Sequence, residues 1–403
     1  MSPRFRPPRL AFSPEARWML LRACGPPGAP APRADPAAVL TLARRFEVSA
    51  RIAARQGKER LAAELGPEAA AGFAHDRMAA AAVSMRLMAA AGQVAAVAGA
   101  MSPPIPLAFL KFAGLEGAGL LAAGSRGACD VDVLAPAGRA AELWQALVAA
   151  GWQGAGQPYE HQLPALAHPE WGVVEVHRLV PGVRLAGGGS ATWEDLERLG
   201  LLVPLPALPA GCFAPVAEVQ AAHVLVHGLV QHGFFPASYS LLKMVADLLD
   251  LGGAALTPRA LSWVARDVPP EEAEAVRRLC ARLAAGEDPA GWSGSEEVLL
   301  RHVLAGRLDA DYALSLRLGL FRPQPTDRGA AVRLARTVWD AVALSDAQID
   351  AIYPLKRPLK LPERPRTRLG YLGRRLARPF DLLRRLASYG TRWLKLRRYT
   401  PPP

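Results

Sequence analysis

Apolar residues recur at three- and four-residue intervals through the first hundred positions, which is the spacing of one face of an α-helix. Three segments carry this pattern, and proline and glycine separate them. They are EARWMLLRAC, PAAVLTLARRFEVSARIAARQ and PEAAAGFAHDRMAAAAVSMRLMAAAGQVAAVAGAM. The pattern predicts an N-terminal helical region over residues 1–100.

The pattern changes at residue 101, where runs with the length and alternation of β-strands appear. IPLAFLKF is a short apolar run, whereas CDVDVLAP and WGVVEVHRLV alternate polar residues with aliphatic ones. A short Gly- and Ala-rich helix is expected after the first run, and GRAAELWQALVAAGW, a helix ended by Gly151, after the second. The order strand, helix, strand, helix, strand predicts a small mixed sheet with helices packed on it over residues 101–210.

Helical periodicity returns in VAEVQAAHVLVHGLVQHG, SLLKMVADLLDLGG and three later segments. It predicts a C-terminal helical domain over residues 211–350, followed by a separate tail over residues 351–403. The predicted fold class is therefore α+β, with a small mixed sheet between two helical regions.

The charge of the 403-residue chain is concentrated in this tail. The formal net charge is +12, and residues 351–403 contain fifteen Lys or Arg against two acids, Glu363 and Asp381. Arginines alternate there with leucines and aromatic residues at roughly helical spacing. Three roles are open for residues 356–398: contact with an anionic membrane surface, contact with a nucleic-acid backbone, or helices docked on the body with solvated arginines.

The four cysteines, at positions 24, 129, 212 and 280, have no CxxC spacing. We therefore expect neither a disulfide framework nor a cysteine zinc site. The first twenty residues do not have the pattern of a signal peptide, and no apolar run approaches the roughly 20 residues that span a bilayer. These features predict a cytoplasmic protein, either soluble or peripheral to a membrane.

Acidic residues alternate with valines in two of the predicted strands. Asp130 and Asp132 are two positions apart, as are Glu175 and His177, and a strand sends such residues to one face. Three carboxylates on neighbouring strands suit Mg²⁺ or Mn²⁺, and two such ions could support an in-line displacement at phosphorus. The alternative is an edge strand with solvated carboxylates.

A resemblance favours the metal site. The chain is similar to an uncharacterised nucleotidyltransferase family of the DNA polymerase β superfamily, whose pattern is Leu-Lys-Gly, then Arg-x-x-x-Asp-x-Asp, then Val-Glu-x-His. The matching residues are Leu110, Lys111, Arg126, Asp130, Asp132, Glu175 and His177. The flanking helices extend the resemblance over about residues 15–350.

The resemblance implies transfer of a nucleotidyl group from a nucleoside triphosphate to an acceptor that the sequence does not identify. Asp130, Asp132 and Glu175 would bind two divalent ions, and Glu175 could instead act on the acceptor's proton. Phe112 stands where the pattern has glycine, and we expect it to hinder the approach of the triphosphate to the backbone. A non-catalytic binding protein is therefore the rival hypothesis. The candidate nucleotide- or acceptor-binding residues are Lys111, Gly114, Gly124, Ser125, Arg126 and His177.

Several of these side chains have a structural alternative. Lys111 and Arg126 could neutralise phosphate or form salt bridges to the aspartates, and His177 could bond a neighbouring carbonyl. A role in helix packing or pocket lining is favoured over zinc for the histidines at 223, 227 and 232. The aspartates at 247 and 250 are predicted to lie on the solvated edge of an amphipathic helix.

Overall fold

The computed structural model describes residues 12–304 except 156–160, 186–188, 232–240, 253–254, 269, 295, 298 and 301–302. Residues 12–231 and 241–299 belong to one compact unit. The basic segment 356–398, with its predicted membrane or nucleic-acid contact, lies outside the described residues.

From residue 12 onward, five helices precede the sheet, in agreement with the apolar periodicity of this region. Ser13 and Asp35 cap the first two, because each side chain accepts a hydrogen bond from a backbone N–H of the first turn. Gly57 and Gly66 separate later helices with positive φ angles. The helices are α1 (Pro14–Cys24), α2 (Pro36–Arg45), α3 (Ser49–Gln56), α4 (Lys58–Leu65) and α5 (Pro67–Gly99).

The described residues form a seven-stranded mixed sheet in the order β3-β4-β5-β2-β1-β7-β6. Strands β2 and β5 pair in parallel, as do β1 and β7, and the other neighbours are antiparallel. The strands are β1 (Leu107–Phe109), β2 (Asp130–Leu134), β3 (Gln153–Ala155), β4 (Ala165–His168), β5 (Gly172–His177), β6 (Leu202–Pro204) and β7 (Cys212–Pro215). The helices within this region are α6 (Lys111–Gly117), α7 (Ala140–Ala149) and α8 (Trp193–Arg198).

The α+β class and the mixed sheet are confirmed, but the sheet is larger than predicted. The strand–helix–strand–helix–strand order was right for β1, α6, β2, α7 and β5. Strands β3, β4, β6 and β7 were missed because each has three or four residues, too few to show an alternating pattern.

Helices also follow the sheet among the described residues, and positions 305–350 of the predicted C-terminal helical domain lie outside them. They are α9 (Ala217–Val226), which continues into a π-helical turn at His227–Gln231, α10 (Leu241–Asp250), α11 (Pro258–Val264) and α12 (Pro270–Ala284), with a short 3₁₀ turn at Pro289–Gly291. Helix α1 contacts both α10 and α12, so the N-terminal and C-terminal helices pack on each other.

Helix α5 is 33 residues long and packs against the sheet through Leu87, Ala91 and Val94. These residues join a core that contains Val131, Val133, Val174 and Val176. By length and composition alone α5 could cross a bilayer, contrary to the prediction that no segment reaches that length. Core helices of soluble proteins pass the same test, and 33% of the apolar window of α5 is buried.

Candidate functional site

The parallel pairing of β2 and β5 creates the acidic centre. Asp132 lies directly opposite Glu175, and Leu134 lies opposite His177. The intervening valines on both strands are buried in the core, which confirms the predicted division of the two faces. Strands β2 and β5 therefore present their acids and His177 on one side of the sheet and these four valines on the other.

Three side chains converge within 4.8 Å of one another at this centre: Asp132, Glu175 and His177. His177 Nε2 is 3.0 Å from Asp132 Oδ1 and 3.7 Å from Glu175 Oε2. The Asp132 and His177 side chains are each 2% exposed, whereas Glu175 is 23% exposed. The group is thus buried on two sides and open at Glu175.

Asp130 lies outside this group, although the sequence placed it in the metal-binding set. It is at the start of β2, paired with Val173, and is half-buried. His177, predicted as an acceptor-contacting residue, takes its place among the converging side chains. Among the described residues this is the one cluster with metal-binding geometry.

Lys111 supplies a cation to the same centre. Its Nζ donates to Asp132 Oδ1 at 2.9 Å, so the predicted salt-bridge alternative is confirmed for Lys111. Its backbone N–H donates to Gln220 Oε1 of α9 at 3.0 Å. Lys111 has a φ of 46°, a left-handed conformation that is unfavourable for a residue with a Cβ. Two fixed bonds therefore hold a strained residue at the junction of β1 and α6.

The pKa shifts follow from burial opposed by ion pairing. Burial alone would raise the pKa of Asp132, but the Lys111 ammonium and the His177 hydrogen bond hold it well below its usual range. Burial likewise lowers the pKa of His177, but the Asp132 and Glu175 carboxylates outweigh this effect and raise it. Asp132 is therefore ionised at neutral pH, and its two neighbours favour their protonated forms.

Asp130 has the opposite shift. Burial and the nearby Asp132 carboxylate raise the pKa of Asp130 to about 6. The two aspartates thus differ in pKa. Asp132 is paired with the Lys111 ammonium, whereas the same ammonium only partly offsets the effect of burial on Asp130. A carboxyl group with this pKa can exchange a proton near neutral pH.

Phe112 and Gly114 are both buried within α6. The Phe112 side chain is buried in the core that contains Val131 and Val133, the residues that point away from Asp132. Gly114 is buried below it, where an added Cβ would lie 2.1 Å from the Phe109 carbonyl oxygen. Gly114 is thus required by close packing.

The loop before β2 contains the remaining predicted phosphate-binding residues. Gly124 has a φ of 70° and lies so close to Ala81 of α5 that an added Cβ would be 2.7 Å from the Ala81 Cβ. Ser125 Oγ is buried and has no hydrogen-bond partner among the described residues. Arg126 donates from Nε and Nη2 to Asp247 at 2.8 and 2.9 Å, and so connects this loop to α10.

The prediction of a solvated edge for Asp247 and Asp250 is wrong. Asp247 is buried and bound to Arg126, and the half-buried Asp250 binds Arg51 of α3. Both aspartates therefore join helix α10 to other parts of the unit.

The histidines surround the acidic centre without forming a second metal cluster in the described part of the chain. His161 stacks on His177 with ring centroids 5.7 Å apart, and burial together with His177 lowers the pKa of His161 to about 4. His223 is buried, neither of its ring nitrogens has a hydrogen-bond partner within the described part of the chain, and its ring centroid is 6.1 Å from that of His227. Burial and the Lys111 charge hold the pKa of His223 well below its usual range. His232 lies outside the described residues.

Comparison of the chain with protein-family models, with curated proteins and with solved structures finds no match. The resemblance to the nucleotidyltransferase family therefore stays a prediction from the sequence.

Proposed function

We propose that the chain is a metal-dependent nucleotidyltransferase that moves a nucleotidyl group from a nucleoside triphosphate to an acceptor. The convergence of Asp132, Glu175 and His177 on one face of the sheet carries this proposal, with Asp130 two residues before Asp132 on the same strand. The sequence resemblance supplies the reaction class.

The donor set fits a divalent cation. Ligand atoms around one ion bound at about 2.0–2.2 Å lie roughly 3 Å apart, and the His177 nitrogen is 3.0 and 3.7 Å from the two carboxylates. Carboxylates suit Mg²⁺ and Mn²⁺, and a single imidazole is compatible with Mn²⁺. We therefore propose Mn²⁺ held by Asp132, Glu175 and His177, or Mg²⁺ held by the two carboxylates.

When bound, a divalent ion would polarise phosphoryl oxygens and favour ionisation of an acceptor hydroxyl. Glu175 is the most exposed of the three side chains. Asp130, two residues before Asp132 on the same strand and outside the three-ligand group, would accept the acceptor's proton as a general base. Lys111 would keep Asp132 ionised through their ion pair.

The test is calorimetric titration of the protein with ATP, GTP, CTP and UTP in Mg²⁺ and in Mn²⁺. We expect one nucleotide to bind with a requirement for metal, and Asp132→Asn or Glu175→Gln to abolish this binding. Glu142→Gln is the matched control, since Glu142 lies at the surface of α7 and pairs with Arg139. Absence of metal-dependent binding to the wild type for all four nucleotides would refute the proposal.

One observation favours the rival function, a non-catalytic binding protein. The Lys111 ammonium already neutralises Asp132, so an internal cation occupies the carboxylate that a metal would need. Measurement of pyrophosphate release separates the two functions, because the rival predicts nucleotide binding without turnover in either metal.

A further inference from the structure

Helix α9 contains a buried histidine that lies outside the metal-ligand group. His223 is 1% exposed, and neither of its ring nitrogens has a hydrogen-bond partner among the residues that the structure describes. Buried polar groups are nearly always hydrogen-bonded, and an unsatisfied one lowers stability. The bonds of the present arrangement therefore do not account for an imidazole at this position.

The position of His223 is related to the acidic centre through Gln220, which lies three residues earlier on α9. Gln220 is 1% exposed, and its Oε1 accepts a hydrogen bond from the backbone N–H of Lys111 at 3.0 Å. Residues three apart on a helix lie on one face, with Cβ atoms roughly 5–6 Å apart. His223 therefore lies on the face of α9 that meets the junction of β1 and α6. In agreement with this placement, burial and, after it, the Lys111 ammonium lower the pKa of His223.

The Lys111 ammonium and a divalent ion compete for one carboxylate. Lys111 Nζ is 2.9 Å from Asp132 Oδ1, the same oxygen that His177 contacts at 3.0 Å. With a divalent ion on Asp132, the ammonium would lie beside a like charge in a buried site, where repulsion is strong. Lys111 is therefore expected to move when the ion binds, and a buried ammonium that leaves one partner needs another.

We propose that His223 is this second partner: when a divalent ion binds Asp132, the Lys111 ammonium moves and donates a hydrogen bond to the unprotonated ring nitrogen of His223. This inference rests on the metal centre of the proposed function. A neutral imidazole has one nitrogen that accepts a hydrogen bond, and an ammonium has only donors. The flexible four-carbon stem of Lys111 permits the move while Gln220 holds its backbone. His223 is thus a positioning residue that makes Asp132 available to the ion.

The experiment is a double-mutant cycle on the full chain, with wild type, His223→Leu, Lys111→Met and the double variant. Isothermal titration calorimetry measures the Mn²⁺ affinity of each protein. Leucine replaces the ring by an apolar side chain of similar size. His75→Leu is the control, since it removes an imidazole from an exposed position of α5. Urea unfolding in EDTA shows whether each variant keeps its fold.

We expect His223→Leu to weaken Mn²⁺ binding roughly 10- to 100-fold, as for loss of a hydrogen bond to a charged group. In the Lys111→Met background the same change should alter Mn²⁺ affinity less than about twofold, because no ammonium needs the ring. In EDTA, His223→Leu should unfold at no lower urea concentration than wild type, since no bond of the ring within the described part of the chain is lost. A residue needed only for packing would instead lower this concentration.

Two amide variants and a spectroscopic measurement complete the test. His223→Asn and His223→Gln place an amide oxygen near one or the other ring-nitrogen position, and at least one should restore most of the Mn²⁺ affinity. Nuclear magnetic resonance of wild type labelled with ¹⁵N-histidine covers the case in which His223→Leu does not fold. Mg²⁺, which is not paramagnetic, should shift the signal of one His223 nitrogen in the direction of a hydrogen-bonded lone pair.

Two results would overturn the inference while the proposed function stands. Unchanged Mn²⁺ affinity in folded His223→Leu would assign the displaced ammonium to another group, such as Asp130. Equal weakening in the wild-type and Lys111→Met backgrounds would show that His223 acts independently of Lys111. Absence of Mn²⁺ binding to wild type would refute both the inference and the proposed metal centre. Coupling of His223 to Lys111 in Mn²⁺ binding, without binding of any nucleoside triphosphate, would support the inference and refute the proposed function.

Discussion

Replacement of Lys111 by Met should destabilise the metal-free protein by about 3 kcal/mol. The Lys111 side chain is 11% exposed and that of its partner Asp132 is 2% exposed, so the change leaves a carboxylate buried without its ammonium. Removal of one partner of a buried ion pair typically costs about 3–5 kcal/mol. The lower end applies here because His177 also bonds Asp132 Oδ1 and remains in place.

A divalent cation should recover much of this loss. Without Lys111, the acidic centre keeps Asp132 and Glu175 near a single imidazole, and a metal ion can then take the position that the ammonium occupied. An ion at a hundred times its dissociation constant stabilises the folded state by about 2.7 kcal/mol. Mn²⁺ should therefore raise the stability of the Lys111→Met protein more than that of the wild type.

The assay is urea unfolding followed by circular dichroism, in EDTA and in MnCl₂. Lys58→Met is the surface control and should stay within about 0.5 kcal/mol of wild type. Asp132→Asn should also be destabilised, because it leaves the ammonium buried, but without rescue by Mn²⁺. The reasoning is refuted if Lys111→Met equals wild type in EDTA, or if Mn²⁺ stabilises the two proteins equally.

Three further predictions concern the same region. His177→Gln should weaken Mn²⁺ binding at least about tenfold while changing Mg²⁺ binding much less, since imidazole is a poor ligand for Mg²⁺. Calorimetric titration of the variant with each ion measures both affinities, and equal losses for the two ions would contradict the prediction. The affinity for Mn²⁺ should rise from about pH 5 to about pH 8, because the ion competes with protons for His177, whose pKa is raised. Ionisation of Asp130, whose pKa is raised to about 6, adds to this rise. A pH-independent affinity would exclude His177 as a ligand. Gly114→Ala should lower the free energy of unfolding by about 2 kcal/mol or more, because the added Cβ would meet the Phe109 carbonyl oxygen. Gly92→Ala is the control and should raise the free energy of unfolding by about 0.5–1 kcal/mol, since Gly92 lies in open space within α5. Similar melting temperatures for the two variants would show that the Gly114 site can relax.

The faces of the two central strands could be predicted because alternation with period two is a local property. Asp132, Glu175 and the valines between the acids follow this rule directly. The choice between Asp130 and His177 as the third group could not be predicted, since it depends on the parallel register of β2 and β5. That register places Glu175 opposite Asp132, so the His177 ring reaches back to the same carboxylate.

The charge pairs of α10 were also outside the reach of sequence patterns. Arg126 and Asp247 are 121 positions apart, and Arg51 and Asp250 are 199 positions apart. An amphipathic period locates the apolar face of a helix, but a charged residue at its edge looks the same whether it meets water or a buried guanidinium. Only the packing of α10 against α1 and against the loop before β2 distinguishes the two cases.

Two energetic costs meet at Lys111, and together they argue that its position serves function more than stability. A left-handed backbone at a residue with a Cβ costs roughly 1–2 kcal/mol, and Lys111 has a φ of 46°. A buried ion pair is often no more stabilising than two apolar side chains of similar volume, so the Asp132 pair does not by itself compensate for the strain. Strained residues of this kind tend to cluster at binding and catalytic sites. At Lys111 the strain coincides with converging metal-ligand atoms, which is the arrangement expected if the ammonium and carboxylate are held ready for an ionic ligand.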